Sequence, residues 1–396
     1  MQEEHLFLFT SESVSSGHPD KLCDQLSDAL LDAFLSQDPL SRVAVECFIT
    51  TGLVVVGGEV TSGAQVDIQA VVRKKLKDIG YTHPDIGLDA NSCAVLVVLN
   101  KQSPDIAQGV NENDGDFQEQ GAGDQGLTFG YACNQTNEYM PLPIVLSHKL
   151  MQALANARHE NVMTYLRPDA KAQVTVKYDE NRKPLAVSAI VISTQHHPSV
   201  SQEQIRSDIN KYIIDAVIPS NLLPETPTIY INPTGRFVVG GPKGDAGLTG
   251  RKIIVDTYGG WVPHGGGAFS GKDPSKIDRS AAYMGRYIAK NCVAAGLCDE
   301  MEIQIAYAIG VAAPVSVKVN TFGTSELSND TLLSIINETF GLKPKEIIQS
   351  LNLLQPIYEK TAVYGHFGRS DIEFPWESLN KVNQLIECKK KQLAKA

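Results

Sequence analysis

The sequence predicts an α+β protein of three similar two-layer domains, each a mixed sheet with helices on one face. Three segments rich in valine and isoleucine, each broken by a turn, have the pattern of β-hairpins and begin at Arg42, Ala172 and Glu302. These starting positions are spaced by 130 residues each time. A repeat of about one third of the chain predicts three domains related by a pseudo-threefold arrangement.

The same order of elements surrounds each hairpin. Apolar residues at helical spacing precede all three hairpins, and a second helical pattern follows at roughly 63–78, 201–217 and 329–340. A further strand is expected in each unit, at 93–99, 228–232 and 357–364. The predicted domains are therefore 1–105, 127–236 and 237–396, with a mobile loop or linker at 106–126.

Helices on one face leave the other face of each sheet uncovered. Because a large exposed apolar face is a liability, that face is expected to pack on a sister domain or a second subunit. The polar segment 102–126 contains few apolar anchors, so both a lid over a site and a plain connector remain open as interpretations.

The amino-acid composition limits which partners and which cellular location are expected. The 396-residue chain has a formal net charge of −10, which argues against nucleic acid as a bulk partner. The apolar runs are too short to span a membrane, and the acidic N-terminal segment is not expected to be a signal peptide. Seven scattered cysteines without a CxxC motif indicate neither a zinc site nor a disulfide framework, and predict reduced thiols in the cytoplasm.

The segment 264–276, HGGGAFSGKDPSK, carries the densest chemical pattern. Its glycines expose backbone N–H groups and its lysines supply positive charge, a combination suited to a polyphosphate. Residues 266–272 match part of a P-loop, but Asp273 stands where a Ser or Thr should bind Mg²⁺. A P-loop-like NTPase is therefore the alternative function. Residues 121–126, GAGDQG, lack the preceding apolar strand of a dinucleotide site, so we reject that interpretation.

Charged residues in glycine- and proline-containing loops complete the pattern. GHPDK at 17–21 and DPSKIDRS at 273–280 place Asp20 and Asp278 near the starts of corresponding helices, where two carboxylates could share Mg²⁺ on a polyphosphate. RPDAK at 167–171 and GDAGLTGRK at 244–252 add further cations, and an arginine there can bind a phosphate through two hydrogen bonds.

These motifs resemble those of the S-adenosylmethionine synthetase (methionine adenosyltransferase) family. The resemblance runs from about Phe9 to Trp376 and is most specific in GHPDK and GGGAFSGKD. It implies three α+β domains and a reaction of ATP, L-methionine and water that yields S-adenosylmethionine, phosphate and diphosphate. It also implies a cytoplasmic homodimer with active sites shared between subunits, assembled as a dimer of dimers, with two Mg²⁺ per site and one K⁺ per subunit.

The resemblance further assigns roles to residues. The implied catalytic residues are His18, Lys171, Arg251, Lys272 and Lys276. The implied ATP-binding residues are His18, Asp124, Asp169, Ala170, Lys171, Arg236, Phe237, Asp245, Arg251, Lys252, Ala268 and Lys272. The implied methionine-binding residues are Glu59, Gln102, Asp245 and Lys276. The implied metal ligands are Asp20 and Asp278 for Mg²⁺ and Glu46 for K⁺. Met284 and Gly285 depart from the family's usual pair of alanines. A regulatory subunit of the same fold that binds nucleotide without turnover is the non-enzymatic alternative.

Overall fold

The computed structural model describes residues 6–102, 119–224 and 226–393. The strands are β1 (Phe7–Val14), β2 (Arg42–Thr50), β3 (Leu53–Thr61), β4 (Thr82–His83), β5 (Leu88–Asp89), β6 (Ala94–Asn100), β7 (Gly126–Cys133), β8 (Leu166–Tyr178), β9 (Pro184–His196), β10 (Thr228–Ile231), β11 (Gly247–Leu248), β12 (Glu300–Tyr307) and β13 (Ser316–Asn320). The helices are α1 (Pro19–Leu35), α2 (Ile68–Ile79), α3 (Leu142–His159), α4 (Gln202–Ile209), α5 (Asp215–Val217), α6 (Ile253–Asp256), α7 (Ile277–Ala294), α8 (Asn329–Thr339), α9 (Pro344–Ser350) and α10 (Val382–Leu393).

Three sheets carry the architecture, and the predicted fold class is confirmed. Their strand orders are β11-β2-β3-β6, β1-β8-β9-β10 and β13-β12-β7. Each predicted hairpin forms as two adjacent antiparallel strands. The long helices α1, α3 and α7 precede the three hairpins and pack on β2, β8 and β12, respectively. In the first two sheets the added strands β6 and β10 run parallel to their neighbours, so these sheets are mixed.

The three repeats exchange edge strands in a cycle. β1 precedes the first repeat's helix but pairs with β8 of the second repeat. β7 precedes the second repeat's helix but pairs with β12 of the third, and β11 of the third pairs with β2 of the first. This cyclic exchange ties the units together about their pseudo-threefold relation. The chain divisions 1–105, 127–236 and 237–396 remain predictions, and the edge strands cross between them. Most of the predicted loop at 106–126 lies outside the described residues.

The strand predicted at 357–364 is wrong. This segment contains a short 3₁₀ turn, Glu359–Thr361, instead of an extended strand. The carboxylate of Asp32 on α1 accepts hydrogen bonds from the backbone nitrogens of Tyr358 at 3.0 Å and Glu359 at 2.8 Å. These donors are therefore bound to a helix and cannot pair with a strand. Within the described ranges, the third sheet consequently has three strands, all antiparallel.

Among the described residues, none covers one face of the first sheet, as the repeat pattern predicted. Alternate residues of β2 are buried against α1, whereas the opposite face carries an apolar row across four strands. The row consists of Leu248, Phe48, Val55 and Leu96, and Leu96 is 53% exposed. Water contact with such a row is unfavourable, so this face has the composition of a surface that packs against another protein surface.

The departure at Gly285 fits a close approach between α7 and β7. A Cβ atom at Gly130 of β7 would lie 2.0 Å from the carbonyl carbon of Gly285, and one at Gly285 would lie 3.0 Å from Gly130. These two glycines therefore face each other where the helix crosses the strand. An alanine at 285 would need β7 to shift by a few tenths of an ångström.

In the described ranges, the helices do not indicate a membrane span and the cysteines do not indicate a disulfide framework. No helix there combines the length and apolarity needed to cross a membrane. All seven cysteines are free and buried. For Cys23, Cys47 and Cys292, burial raises the pKa of the thiol, which makes these side chains poor nucleophiles at neutral pH.

Buried histidines make stability depend on pH. Burial lowers the pKa of His148 to about 3, with nearby Arg369 adding to the effect, and Nδ1 of His148 lies 2.8 Å from Ser13 Oγ. The unfolded chain takes up a proton at this residue near pH 6.5, and the native chain does not. Stability contributed by neutral His148 is therefore fully present above pH 6.5 and is lost as the pH falls toward 3.

We expect His148→Asn to reduce the slope of unfolding free energy against pH by about 1.4 kcal/mol per pH unit below pH 6. Urea denaturation at fixed protein concentration, at several pH values between 7.5 and 4.5, measures this slope. The control is His197→Asn at an exposed position. Equal slopes for wild type and His148→Asn would contradict the prediction.

Candidate active site

A first group of predicted residues gathers at the start of α1. His18 is the N-cap residue, followed by Pro19 at the first helical position. Gly17 lies so close to Pro168 that a Cβ atom there would be 2.3 Å from the proline side chain. Only glycine fits this contact, which brings the start of α1 against β8. The GHPDK and RPDAK motifs therefore meet although they are 150 residues apart in the sequence.

His18 is neutral and presents a hydrogen-bond donor. Burial lowers its pKa to about 3, and the positive charges of Lys252 and Lys171 act in the same direction. Its Nδ1 accepts a hydrogen bond from the backbone nitrogen of Asp20 at 3.2 Å. In a neutral imidazole with Nδ1 as acceptor, the proton lies on Nε2. His18 can thus donate a hydrogen bond from Nε2 without carrying charge.

Asp20 is the anion at the centre of this first group. Its Oδ1 accepts a hydrogen bond from the Leu248 backbone nitrogen at 3.1 Å, and its Oδ2 lies 2.6 Å from Lys252 Nζ. Arg251 Nε is 3.4 Å away. Burial alone would raise the pKa of Asp20, but the hydrogen bonds from Lys252 and Leu248 outweigh it, so the net shift is downward. The carboxylate is therefore ionised at neutral pH.

Some of the proposed nucleotide-contacting residues lie beside this group, on β8 and in the segment 236–245. Asp169 Oδ2 accepts a hydrogen bond from Gly241 N at 2.8 Å, while its Oδ1 is buried without a hydrogen-bond partner in the described ranges. Burial raises the pKa of Asp169 to about 6. His196 N donates a hydrogen bond to Phe237 O at 3.0 Å, and Phe237 N donates one to the imidazole Nε2 of His196 at 3.1 Å. Arg236 and Asp245 are exposed.

A second group of predicted residues surrounds a cavity of about 250 Å³. The predicted residues that line it are Glu59, Gln102, Asp124, Lys272, Lys276 and Asp278. Lys272 Nζ lies 2.7 Å from Asp278 Oδ2, and Lys276 pairs with buried Asp273. The cavity is thus lined by both signs of charge, with its lysines held by carboxylates.

The glycine-rich segment reaches this cavity by lying against β2. Val45 N donates a hydrogen bond to Gly271 O at 3.0 Å, and Asp273 N donates one to Val43 O at 3.0 Å. Gly271 has φ of +79°, and a Cβ atom there would lie 1.9 Å from Val45 O. Only glycine permits this approach. Lys272 is therefore carried on an added strand-like turn and not on a P-loop between a strand and a helix. Similarly, GAGDQG leads directly into strand β7 and not into a helix.

The two groups lie at opposite ends of β2 within one chain. Leu248, which contacts Asp20, pairs with Phe48, whereas Lys272 forms a bridge with Ala44. Four residues along a strand separate these positions by roughly 13 Å. Glu46 lies between them on the uncovered face and is exposed. Ala268 borders the first group, because a Cβ atom on Gly250 would lie 2.6 Å from the Ala268 Cβ.

A row of aspartates on α1 connects the two groups, and the sequence interpretation missed three of its members. Asp20, Asp24, Asp28 and Asp32 occur at every fourth position, so they share one face of the helix. Asp24 accepts a hydrogen bond from Gly250 N at 2.8 Å, and Asp28 accepts one from Gly271 N at 2.8 Å. The strict spacing of four in DKLCDQLSDALLD is the sequence pattern that could have identified them.

Buried cations accompany two of these aspartates. Arg279 binds Asp28 through two hydrogen bonds of 2.7 and 2.8 Å, and both side chains are fully buried. Lys21 bridges Asp24 and Asp256, again without exposure. Because Gly250 precedes Arg251 and Gly271 precedes Lys272, the row fixes the backbone beside both sets of candidate phosphate-binding cations.

Comparison with known protein families gives three matches that together span most of the chain. Residues 6–104 match the N-terminal domain of S-adenosylmethionine synthetase, residues 119–237 its central domain, and residues 239–378 its C-terminal domain. The chain belongs to the S-adenosylmethionine synthetase family. The three family domains correspond to the three hairpin-containing units. The resemblance inferred from GHPDK and GGGAFSGKD is thereby confirmed, whereas the roles of individual residues remain proposals.

Proposed function

We propose that this protein is a methionine adenosyltransferase that converts ATP, L-methionine and water into S-adenosyl-L-methionine, phosphate and diphosphate. The methionine sulfur attacks C5′ of ATP as the C5′–O bond breaks, and triphosphate departs with the bonding electrons. Water then hydrolyses the triphosphate. The thioether is itself the nucleophile, so the protein must align the reactants and stabilise the charge that develops on the leaving group.

The observation that carries this proposal is the buried residue His18, whose Nδ1 accepts from Asp20 N so that Nε2 is left as a donor, beside the cations Lys252 and Lys171. Its Nε2–H can hydrogen-bond to the departing oxygen, where negative charge develops. Lys171, Arg251 and Lys252 neutralise the phosphates, while Lys272 and Lys276 act from the other group. Such preorganised donors stabilise a transition state more than water does, because they need no reorganisation. Asp169, Ala170, Arg236, Phe237 and Ala268 are proposed to contact the nucleotide, with Phe237 stacking on adenine.

We assign methionine binding to the second group of residues. Glu59, Gln102 and Lys276 line its cavity and offer partners for an amino acid, and Asp124 is proposed to contact the ribose. Asp245 is proposed to contact both substrates from the first group. A carboxylate near the ammonium group and a cation near the carboxylate complement the two charges of an amino acid.

The carboxylates fit the metals that the family uses. Mg²⁺ commonly takes one or two protein carboxylates, and phosphate oxygens or water complete its coordination. Asp20 and Asp278 would each contribute such an oxygen, one in each group, for two Mg²⁺ per site. The described part of the chain contains no cluster of three or more metal-binding side chains. Glu46 would contribute an oxygen to one K⁺ per subunit. When bound, these ions neutralise charge on the triphosphate.

We propose that two subunits share each site. Within one chain the phosphate-binding and methionine-binding groups lie at opposite ends of β2, and the apolar row crosses β2 at Phe48, next to the first group. A twofold axis through the uncovered face near Glu46, between the two groups, would cover the apolar row and bring the first group of one subunit onto the second group of its partner. A dimer of dimers is the proposed final assembly. The free, buried thiols support a cytoplasmic location.

Mixed dimers test the shared site. His18→Asn and Lys272→Met should each be inactive alone. After co-refolding at equal concentrations, about half the dimers should be mixed, and each should contain one intact site, giving roughly a quarter of wild-type activity. Activity of the mixture is compared with each variant alone, and native mass spectrometry counts the mixed dimers. An inactive mixture in which mixed dimers have formed would show that both residues come from one chain.

The proposed reaction is tested by incubating the purified protein with ATP, methionine, Mg²⁺ and K⁺ and resolving the products by mass. S-adenosylmethionine with equal amounts of phosphate and diphosphate is the expected result. ADP formed without methionine would favour the NTPase alternative. Nucleotide binding without any product would favour the regulatory subunit.

A further inference from the structure

Arg42 lines the second cavity but had no assigned role. It begins β2, and its side chain is 27% exposed. Its nearest ionic contact in the described ranges is Asp273, with Nη1 3.8 Å from Oδ1, which is too far for a hydrogen bond. The guanidinium carries five N–H donors, and none of them makes a hydrogen bond to another described residue, so donors are available for a ligand.

Asp273 holds Arg42 at the cavity without using its donors. This buried carboxylate already accepts hydrogen bonds from Val43 N at 2.7 Å and Ser275 N at 2.9 Å, and it pairs with Lys276. Burial would raise the pKa of Asp273, but the charge of Lys276 and the other contacts lower it below its usual range. Lys276 is therefore paired directly with the ionised carboxylate of Asp273, whereas Arg42 has only a longer ionic contact with that carboxylate.

The strand register places Arg42 beside Glu59. Ala44 lies directly opposite Glu59 on β3, and Arg42 is two residues from Ala44 on the same face. Diagonal neighbours of this kind are about 7–8 Å apart. Two side chains that leave the same face of the sheet from positions this far apart can hold the head group of an amino acid between them, with a charge-assisted hydrogen bond at each end. The small side chain of Ala44 forms the floor between them.

We propose that Arg42 binds the α-carboxylate of the amino-acid substrate while Glu59 binds its ammonium group. This inference rests on the proposed function and names a residue that selects a free amino acid over derivatives without the carboxylate. Arginine offers two parallel hydrogen bonds to a carboxylate, a geometry that Lys276 cannot provide. Lys276, held by Asp273 in the same cavity, would add its positive charge to that of Arg42.

Arg42→Met tests the assignment. We expect the KM for methionine to rise on the order of 10- to 100-fold, because a charged hydrogen-bonded contact is lost. The KM for ATP should change little. Methioninamide, whose carboxylate is replaced by a neutral amide, is the diagnostic substrate. Wild type should strongly prefer methionine over methioninamide in kcat/KM, and Arg42→Met should lose most of that preference. Arg42→Lys should be intermediate, and Arg206→Met, at an exposed position on α4, is the matched control.

Two further measurements separate the possible failures. Hydrolysis of added tripolyphosphate needs no methionine, so its loss in a folded Arg42→Met protein would place Arg42 at the phosphates and overturn the assignment. Calorimetry of methionine binding in the presence of a non-hydrolysable ATP analogue gives the affinity for methionine independently of turnover. If Arg42→Met does not fold, Arg42→Gln replaces it in these measurements. An unchanged methionine affinity, or a retained preference over methioninamide, would overturn the role of Arg42. Failure of the wild type to form S-adenosylmethionine would instead overturn the proposed function.

Discussion

Replacing Lys272 with methionine should lower turnover by about 10²- to 10³-fold, the loss expected for one preorganised electrostatic contact. Lys272 is half-buried and its ammonium group lies 2.7 Å from Asp278 Oδ2. In the proposed reaction this group contacts the triphosphate, where charge develops. Steady-state kinetics with ATP and methionine measure the loss. Because the backbone around Lys272 is held by Gly271, Val45 and Asp273, the melting temperature should stay close to that of the wild type.

A matched lysine on the surface provides the control. Lys74 on α2 also lies 2.7 Å from an aspartate, Asp78, but its side chain is 77% exposed. Such surface pairs contribute about 0–1 kcal/mol to stability. Lys74→Met should therefore keep both turnover and stability. Near-normal turnover in Lys272→Met, or an equal loss in Lys74→Met, would contradict the proposed role.

The hairpins and long helices could be predicted because their patterns are local. Alternating valines in β2, or apolar residues at helical spacing in α7, report burial directly in the sequence. The cyclic exchange of edge strands could not be predicted, since the pairing of β11 with β2 joins segments about 200 residues apart and β11 has two residues. The apolar pattern at 357–364 led to the wrong prediction of a strand. The backbone nitrogens of Tyr358 and Glu359 donate to the carboxylate of Asp32 instead of to a neighbouring strand.

The candidate site could be predicted from the sequence to about the same extent as the fold. Glycine-rich loops with lysines indicate anion binding by residue type alone, and this identified both groups. The sequence could not show that they lie at opposite ends of β2, because that follows from the bridge between Ala44 and Lys272. The buried aspartates of α1 were overlooked because an isolated aspartate in a helix is usually a solvated residue. Asp24 and Asp28 accept hydrogen bonds from backbone nitrogens of distant glycines, and Asp32 accepts them from two other distant backbone nitrogens; such contacts leave no charge pattern in the sequence.

The pair Asp28–Arg279 should show how strongly this aspartate row supports both folding and the site. Arg279→Leu leaves a fully buried carboxylate without its cation, and we expect a loss of about 3–5 kcal/mol in unfolding free energy. The double variant Asp28→Leu/Arg279→Leu removes both charges, so much of this stability should return. Urea denaturation at fixed protein concentration measures both effects. Asp371→Asn, in the partly exposed Arg369–Asp371 pair, is the control and should cost far less.

Turnover should not return with stability in the double variant. Asp28 Oδ1 also accepts the hydrogen bond from Gly271 N, and a leucine cannot replace that acceptor. The backbone that carries Lys272 would then lose its anchor to α1, and misplacement of a positioning group by about 1 Å can cost on the order of 10² in rate. We therefore expect a stable double variant with strongly reduced kcat. Recovery of both stability and kcat would mean that Asp28 supports folding alone and does not position Lys272.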